Sequence, residues 1–155
     1  MHVVWCRVGW AGWGETGGMD GGRRRVVVVD AANVVGSRPD GWWRDRVGAA
    51  RRLLVRLAAL QERLVDTDLV IVLEGAARRA VAGDDAPDTG DVRVVLAPGS
   101  GDDTIVRVTA ELVGQADRPE VTVVTADRGL RERLEPEAAT TGPRWLLDQL
   151  DDLPK

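Results

Sequence analysis

The strongest constraint on the fold is a run of four consecutive valines at residues 26–29, which Asp30 follows directly. Four β-branched residues favour an extended strand, and the absence of polar residues among them indicates that both faces of the strand are covered. Such strands are typical of a parallel sheet packed between two layers of helices. Asp30 would then lie at the sheet edge where open α/β folds bind their ligands. Asp30 is therefore the first candidate active-site residue.

Further along the chain, short apolar runs alternate with helical patterns. Three runs have the length and composition of buried strands: residues 69–73, 92–96 and 121–125. Helices are expected at residues 46–65, from residue 102 onward, at 130–134 and at 142–150. Because strands alternate with helices, the sequence predicts a three-layer α/β/α domain with a mostly parallel sheet.

Two of these helices have a clear apolar face. Within residues 46–65, apolar side chains recur at three- and four-residue steps, at Ala50, Leu53, Leu54, Leu57, Leu60 and Leu64. In the last helix, Trp145, Leu146 and Leu150 are expected to face inward. Both patterns predict helices that pack against the sheet.

The length of 155 residues indicates one folded domain, residues 23–155, preceded by an extension. Residues 1–22 contain three tryptophans and many glycines without a helical or strand period, so we expect a disordered segment, with Met19 as an alternative start. No apolar run approaches the ~20 residues of a membrane helix, and no secretory signal is expected. With Cys6 as the single cysteine, the expected compartment is the cytoplasm.

The net charge of -4 conceals a division of charge along the chain. Residues 23–79 contain 12 basic and 7 acidic side chains, whereas residues 80–155 contain 8 basic and 16 acidic ones. An acidic total argues against bulk electrostatic binding of nucleic acid, but a basic half beside an acidic half does not. Nucleic acid therefore stays open as a partner.

The residue types that are missing restrict the chemistry. His2 is the only histidine, Ser37 and Ser100 are the only serines, and the chain has no tyrosine. A Ser-His-Asp or Cys-His catalyst cannot be assembled from this set, and neither can a zinc site built on histidine and cysteine. Any catalysis must rest on carboxylates, which select hard cations such as Mg²⁺ or Mn²⁺.

Five carboxylates lie at, or just after, the ends of the four predicted strands: Asp30, Glu74, Asp102, Asp103 and Asp127. Each has a structural alternative, as a helix cap, an Asx-turn or a solvated strand end. Because parallel strands share one carboxyl edge, all five are expected on the same rim, where they would repel one another without a cation. The joint pattern predicts a divalent-metal site.

Four motifs, taken in their order along the chain, resemble those of a known family. They are V-V-D-A-A-N-V-V-G, the acid that ends the second predicted strand, P-G-S-G-D-D-T-I and V-V-T-A-D-R-G-L. Over residues 26–150 this set resembles the NYN branch of the PIN-like ribonucleases. The resemblance implies a metal-dependent endoribonuclease that hydrolyses RNA phosphodiester bonds with Mg²⁺ or Mn²⁺.

The same resemblance implies roles for individual residues. Asp30, Asp103 and Asp127 would be the principal catalytic ligands, supported by Asn33 and Asp102, and Glu74 would be a further metal ligand. For substrate, Arg128, Arg44 and Arg78 are candidates to hold a phosphate. Two more candidates lie off the apolar stripe of the long helix, Arg52 and Arg56, which would either follow a phosphate backbone or form a solvated face.

Two alternatives remain beside the ribonuclease hypothesis. One is a metal-dependent phosphohydrolase of the nucleoside triphosphate pyrophosphohydrolase type, which would use the same acids but needs a closed base pocket. The other is a non-catalytic RNA-binding or protein-interaction module of the same fold. The sequence indicates no membrane partner, and it leaves open whether the RNA is single-stranded or structured and whether the protein is a homodimer.

Overall fold

The computed structural model describes residues 5–6, 23–39 and 41–154. Its sheet has six strands: β1 (Trp5–Cys6), β2 (Arg25–Asp30), β3 (Thr67–Leu73), β4 (Arg93–Leu96), β5 (Glu120–Val124) and β6 (Ala139–Thr141). The spatial order is β1-β4-β3-β2-β5-β6. Strands β2 to β6 are parallel, and β1 pairs with β4 in the antiparallel direction.

Five α-helices connect and cover the strands: α1 (Ala31–Gly36), α2 (Arg46–Arg63), α3 (Gly101–Val113), α4 (Arg128–Arg133) and α5 (Pro143–Asp151). Two 3-10 segments, Trp42–Arg44 and Gly75–Val81, lie in the connections. Within the part of the chain that the structure describes, no helix is long and apolar enough to cross a membrane.

The valine run explains the three layers. Val27 and Val29 pack into a core with helices α1, α2 and α5, whereas Val26 and Val28 pack into a second core with α3 and α4. All four valines are buried, because successive side chains of a strand point to opposite faces and helices cover both. The predicted three-layer α/β/α fold with a mostly parallel sheet is confirmed.

The strand order places a topological switch point beside β2. From β2 the chain proceeds outward through β3 and β4, then crosses the sheet with α3 and returns to the other side of β2 as β5. Connections from two neighbouring strands thus leave in opposite directions, which opens a crevice at their carboxyl ends. Asp30 ends β2, and residues 125–127 follow β5 at this crevice.

Four local features differ from the sequence-based expectation. Helix α1 begins immediately after Asp30, and the three-residue strand β6 has no apolar run to reveal it. Trp145 was expected to face inward but is 43% exposed, because Leu146 and Leu150 occupy the buried face of α5. In the segment expected to be disordered, β1 forms a short edge strand, and the other residues of 1–22 lie outside the described residues.

Candidate active site

Asp30 is a buried carboxylate at the switch point. It is only 6% exposed, and its Oδ1 accepts a hydrogen bond from the backbone N–H of Asn33 at 3.3 Å, which caps helix α1. Its Oδ2 accepts a hydrogen bond from the hydroxyl of Thr125 at 3.0 Å. One carboxylate oxygen is therefore held by the segment that follows β2, and the other by the segment that follows β5.

The environment raises the pKa of Asp30 to about 6. Burial is the largest cause, since a low-dielectric site disfavours the charged form. The charges of Asp102 and Glu74 raise the pKa further, while the two hydrogen bonds lower it. The carboxylates of Asp30, Glu74 and Asp102 therefore lie close enough for their charges to interact.

Glu74 fixes the start of helix α3. The residue follows β3 directly, and its Oε2 accepts a hydrogen bond from the backbone N–H of Gly101 at 2.6 Å. A Cβ at position 101 would lie 2.8 Å from this carboxylate, so only glycine allows the approach without displacing it. Glu74 thereby connects the end of β3 to the turn that presents Asp102.

Asp102 and Asp103 lie on different sides of α3. The pKa of Asp102 is raised by partial burial, then by the charges of Asp127 and Glu74, so this side chain lies with the other acids. The side chain of Asp103 is 69% exposed and accepts a hydrogen bond from Nη2 of Arg133 at 2.6 Å. The sequence predicts both residues as candidate ligands; Asp102 interacts with the charges of Asp127 and Glu74, whereas Asp103 is paired with Arg133. The reason is that consecutive helical residues diverge by about 100° around the axis.

Asp127 caps the helix that follows β5. Its Oδ1 accepts a hydrogen bond from the backbone N–H of Leu130 at 3.1 Å, so the structural role considered from the sequence is present. Its charge also raises the pKa of Asp102. The side chain is exposed at the rim. Asp127 thus combines a helix cap with a position in the acidic cluster.

Thr125 links these acids, and the sequence reasoning missed it. Its hydroxyl donates to Asp30 and accepts a hydrogen bond from the backbone N–H of Asp127 at 3.2 Å. Its carbonyl oxygen accepts two further hydrogen bonds from Arg131, at 3.0 and 2.8 Å. The available signal was a polar residue directly after a buried strand, since a fully buried hydroxyl requires a partner.

Asn33 closes the crevice from the other side. Its Oδ1 accepts a hydrogen bond from the backbone N–H of Ala126 at 2.9 Å and so ties α1 to the loop after β5. The structure therefore brings Asn33 to the rim, as expected, with its side-chain oxygen engaged in holding that loop.

The predicted substrate arginines are dispersed. Arg128 is exposed directly beside Asp127, while Arg78 and Arg44 are exposed on the two 3-10 segments. Arg52 is exposed on α2. Arg56 donates to the carbonyl oxygen of Leu150 at 2.7 Å and approaches Asp151 at 3.5 Å, so it joins α2 to α5. For Arg56 this contact supports a structural role.

The donor chemistry of the rim fits a hard divalent cation. Asp30, Glu74, Asp102 and Asp127 supply only carboxylate oxygens, and their mutual repulsion would be relieved by a positive charge. Among the described residues, no three acidic, histidine or cysteine side chains are gathered into a ready-made ion site. Backbone N–H groups hold the carboxylates of Asp30, Glu74 and Asp127 in the observed positions.

Comparisons with known proteins show the fold. No family model matches the chain, and no curated protein matches it. Among solved structures, the chain is similar to a single-substitution mutant of Rae1 (YacP) from Bacillus subtilis, with 17% identity over 82% of this chain and 75% of that one, at a TM-score of 0.65. A mutant of the T5 5'-exonuclease has 15% identity over 77% of this chain and 50% of that one, and its TM-score of 0.40 supports no further comparison. The chain shares the α/β fold of Rae1.

Proposed function

We propose that this protein is a metal-dependent endoribonuclease that hydrolyses RNA phosphodiester bonds with Mg²⁺ or Mn²⁺. The observation that carries the proposal is the buried Asp30 at the switch point, which is hydrogen-bonded to Thr125 and lies near the charges of Asp102 and Glu74. A buried carboxylate surrounded by like charges is costly to maintain and is typical of functional sites. The α/β fold shared with Rae1 supports the same conclusion.

The residues that would hold the cation are Asp30, Asp102 and Asp127, with Glu74 at the side of α3. Mg²⁺ or Mn²⁺ at this rim would neutralise charge on the scissile phosphate and lower the pKa of an attacking water. The resemblance implied both Asp102 and Asp103 as ligands, and we favour Asp102 because Asp103 is hydrogen-bonded to Arg133.

The remaining residues of the site orient these acids and receive the substrate. Thr125 fixes one oxygen of Asp30, and Asn33 holds the loop that precedes Asp127. One of the carboxylates at the rim would accept the proton from the attacking water, because the described residues contain no histidine. Arg128, which is exposed beside Asp127, is our candidate to contact a phosphate.

The proposal is tested by incubating the full chain with a mixture of RNAs, and separately with nucleoside triphosphates, in Mn²⁺ and in a chelator. Internal cleavage of RNA that requires Mn²⁺ is the expected result. Release of pyrophosphate or phosphate from nucleotides, with intact RNA, would replace the proposal by the phosphohydrolase alternative. Binding of RNA without any cleavage would indicate the non-catalytic module.

A further inference from the structure

A cluster of aromatic and basic side chains lies in the connection between α1 and α2, outside the acidic rim. The 3-10 turn Trp42–Arg44 follows Gly41, whose φ of 80° starts the turn, and Asp45 caps the next helix by accepting a hydrogen bond from Gly48 at 2.8 Å. We call Trp42, Trp43, Arg44 and Arg46 the tryptophan–arginine cluster. The proposed hydrolysis does not itself require these side chains.

The two tryptophans have different environments. Trp42 packs against the last residue of α1, since a Cβ at Gly36 would lie 3.5 Å from its Cζ2 atom. Trp43 meets Trp42 edge-on, with ring centroids 6.3 Å apart and planes at 86°, and it remains 53% exposed. Trp42 thus fixes the turn, whereas Trp43 presents its ring to solvent. A large aromatic side chain held in this way is typical of a contact surface.

The arginines give this surface a positive charge. The guanidinium of Arg44 lies 6.0 Å from the Trp43 ring centroid, and that of Arg46 lies 5.6 Å from the Trp42 ring centroid. Both arginines are exposed, and neither forms an ion pair with a carboxylate of the described residues. At 6.0 Å, Arg44 is near the outer limit of a cation–π contact, and Trp43 is 53% exposed.

Helix α1 connects the tryptophan–arginine cluster to the acidic rim. Helix α1 begins at the cap made by Asp30 and ends at Gly36, against which Trp42 packs. Six helical residues at a rise of 1.5 Å span about 9 Å. Trp42 and the Asp30 cap therefore lie at opposite ends of one short helix.

We propose that the tryptophan–arginine cluster binds an unpaired base of single-stranded RNA. The base stacks on Trp43, and Arg44 and Arg46 contact neighbouring phosphates, which is the combination that single-strand-binding surfaces use. A base inside a duplex has both faces covered by its neighbours and cannot stack on a side chain. The inference rests on the proposed function, which supplies RNA as the ligand, and it specifies single-stranded RNA as the substrate class.

The first test measures binding of a short fluorescent single-stranded RNA, and of the same sequence as a duplex, in a chelator that prevents cleavage. Trp43→Ala should weaken single-strand binding about tenfold and leave duplex binding unchanged, as expected for the loss of one stacked base. Trp43→Phe should retain most of the affinity. Trp145→Ala is the matched control, because Trp145 is also exposed but lies on α5. Equal affinities of Trp43→Ala and Trp145→Ala would overturn the proposal.

A second measurement uses the unmutated chain and so does not depend on the folding of a variant. Single-stranded RNA containing 5-bromouridine is irradiated with the protein, and the crosslinked peptide is identified by mass spectrometry. A crosslink at Trp43 supports the proposal. Crosslinks that avoid the tryptophan–arginine cluster contradict it. A single-stranded DNA of the same sequence shows whether the sugar contributes.

These results separate the inference from the proposed function. If RNA binds at Trp43 but is not cleaved with Mn²⁺, the proposed nuclease function is contradicted and the proposed RNA-binding surface is supported. If the unmutated protein cleaves RNA, and Trp43→Ala binds and cleaves RNA equally well, only the proposed RNA-binding surface is contradicted.

Discussion

The hydroxyl of Thr125 donates a hydrogen bond to Oδ2 of Asp30 at 3.0 Å across the switch point of the sheet. The two residues lie at the carboxyl ends of the neighbouring parallel strands β2 and β5, and their chain segments leave the sheet in opposite directions. The same hydroxyl accepts a hydrogen bond from the backbone N–H of Asp127. One buried side chain thus sets the orientation of two candidate ligands.

Replacing Thr125 with valine should disrupt this arrangement while keeping the shape of the side chain. The carboxylate of Asp30 would lose one partner in a buried site, at a cost of about 1 to 3 kcal/mol in unfolding free energy. We also expect RNA cleavage to fall. Thr125→Ser is the control, because it keeps the hydroxyl. Chemical denaturation and a cleavage assay provide the measurements, and equal behaviour of the two variants would contradict a role for the hydroxyl.

The same substitution at the neighbouring residues Asp102 and Asp103 compares a proposed metal ligand with an exposed carboxylate. Asp102→Asn should abolish Mn²⁺-dependent cleavage and Mn²⁺-induced thermal stabilisation, because it removes a carboxylate from the acidic cluster. Asp103→Asn should keep both, since Asp103 is exposed and paired with Arg133. Its stability should change by less than about 1 kcal/mol, as for other exposed ion pairs. The opposite pattern would restore Asp103 as the ligand.

Asp30 should make the metal-free protein less stable as the pH rises. Its pKa is about 6 in the folded state and near 3.8 when solvated, so the folded state binds more protons between these values. The contribution to stability is fully present below pH 3.8 and is lost as the pH rises through 6. A shift of this size corresponds to about 2 to 3 kcal/mol.

Asp30→Asn lacks this titration and provides the comparison. With metal removed by dialysis, the unfolding free energy of the wild type minus that of the variant should fall by about 2 to 3 kcal/mol between about pH 4 and pH 7.5. Urea denaturation at several pH values gives this difference directly. A constant difference across the range would show that Asp30 has an ordinary pKa.

A side chain at Gly101 should displace the carboxylate of Glu74. In Gly101→Ala the new Cβ would meet the Glu74 carboxylate at 2.8 Å, so the carboxylate must move and lose its bond to the start of α3. We expect a loss of about 1 to 2 kcal/mol and a weaker thermal response to Mn²⁺. Gly99→Ala, in the same loop with open space around the position, should change neither quantity. Similar melting curves for both variants would contradict the contact.

Local sequence patterns determined the layers and the sheet. The valine run required a strand covered on both faces, and β2 is such a strand with a core on each side. The apolar stripe of the long helix predicted α2, whose buried residues include Leu53, Leu54 and Leu57. Because parallel strands share a carboxyl edge, the sequence also placed the acids of separate strands on one rim. These features depend on periodicities within one element.

Tertiary structure decided which atoms meet at that rim. Asp102 precedes the buried Ile105 and Thr109 by three and seven residues and therefore lies beside their row, whereas Asp103 lies about 100° further around α3. The sequence of α3 did not determine this rotation by itself, because it also contains Val106 and Val113, which are apolar but only partly buried. The contact between Thr125 and Asp30, and that between Glu74 and Gly101, join residues 95 and 27 positions apart. No local pattern encodes such pairs, since they exist only once the strands have taken their order in the sheet.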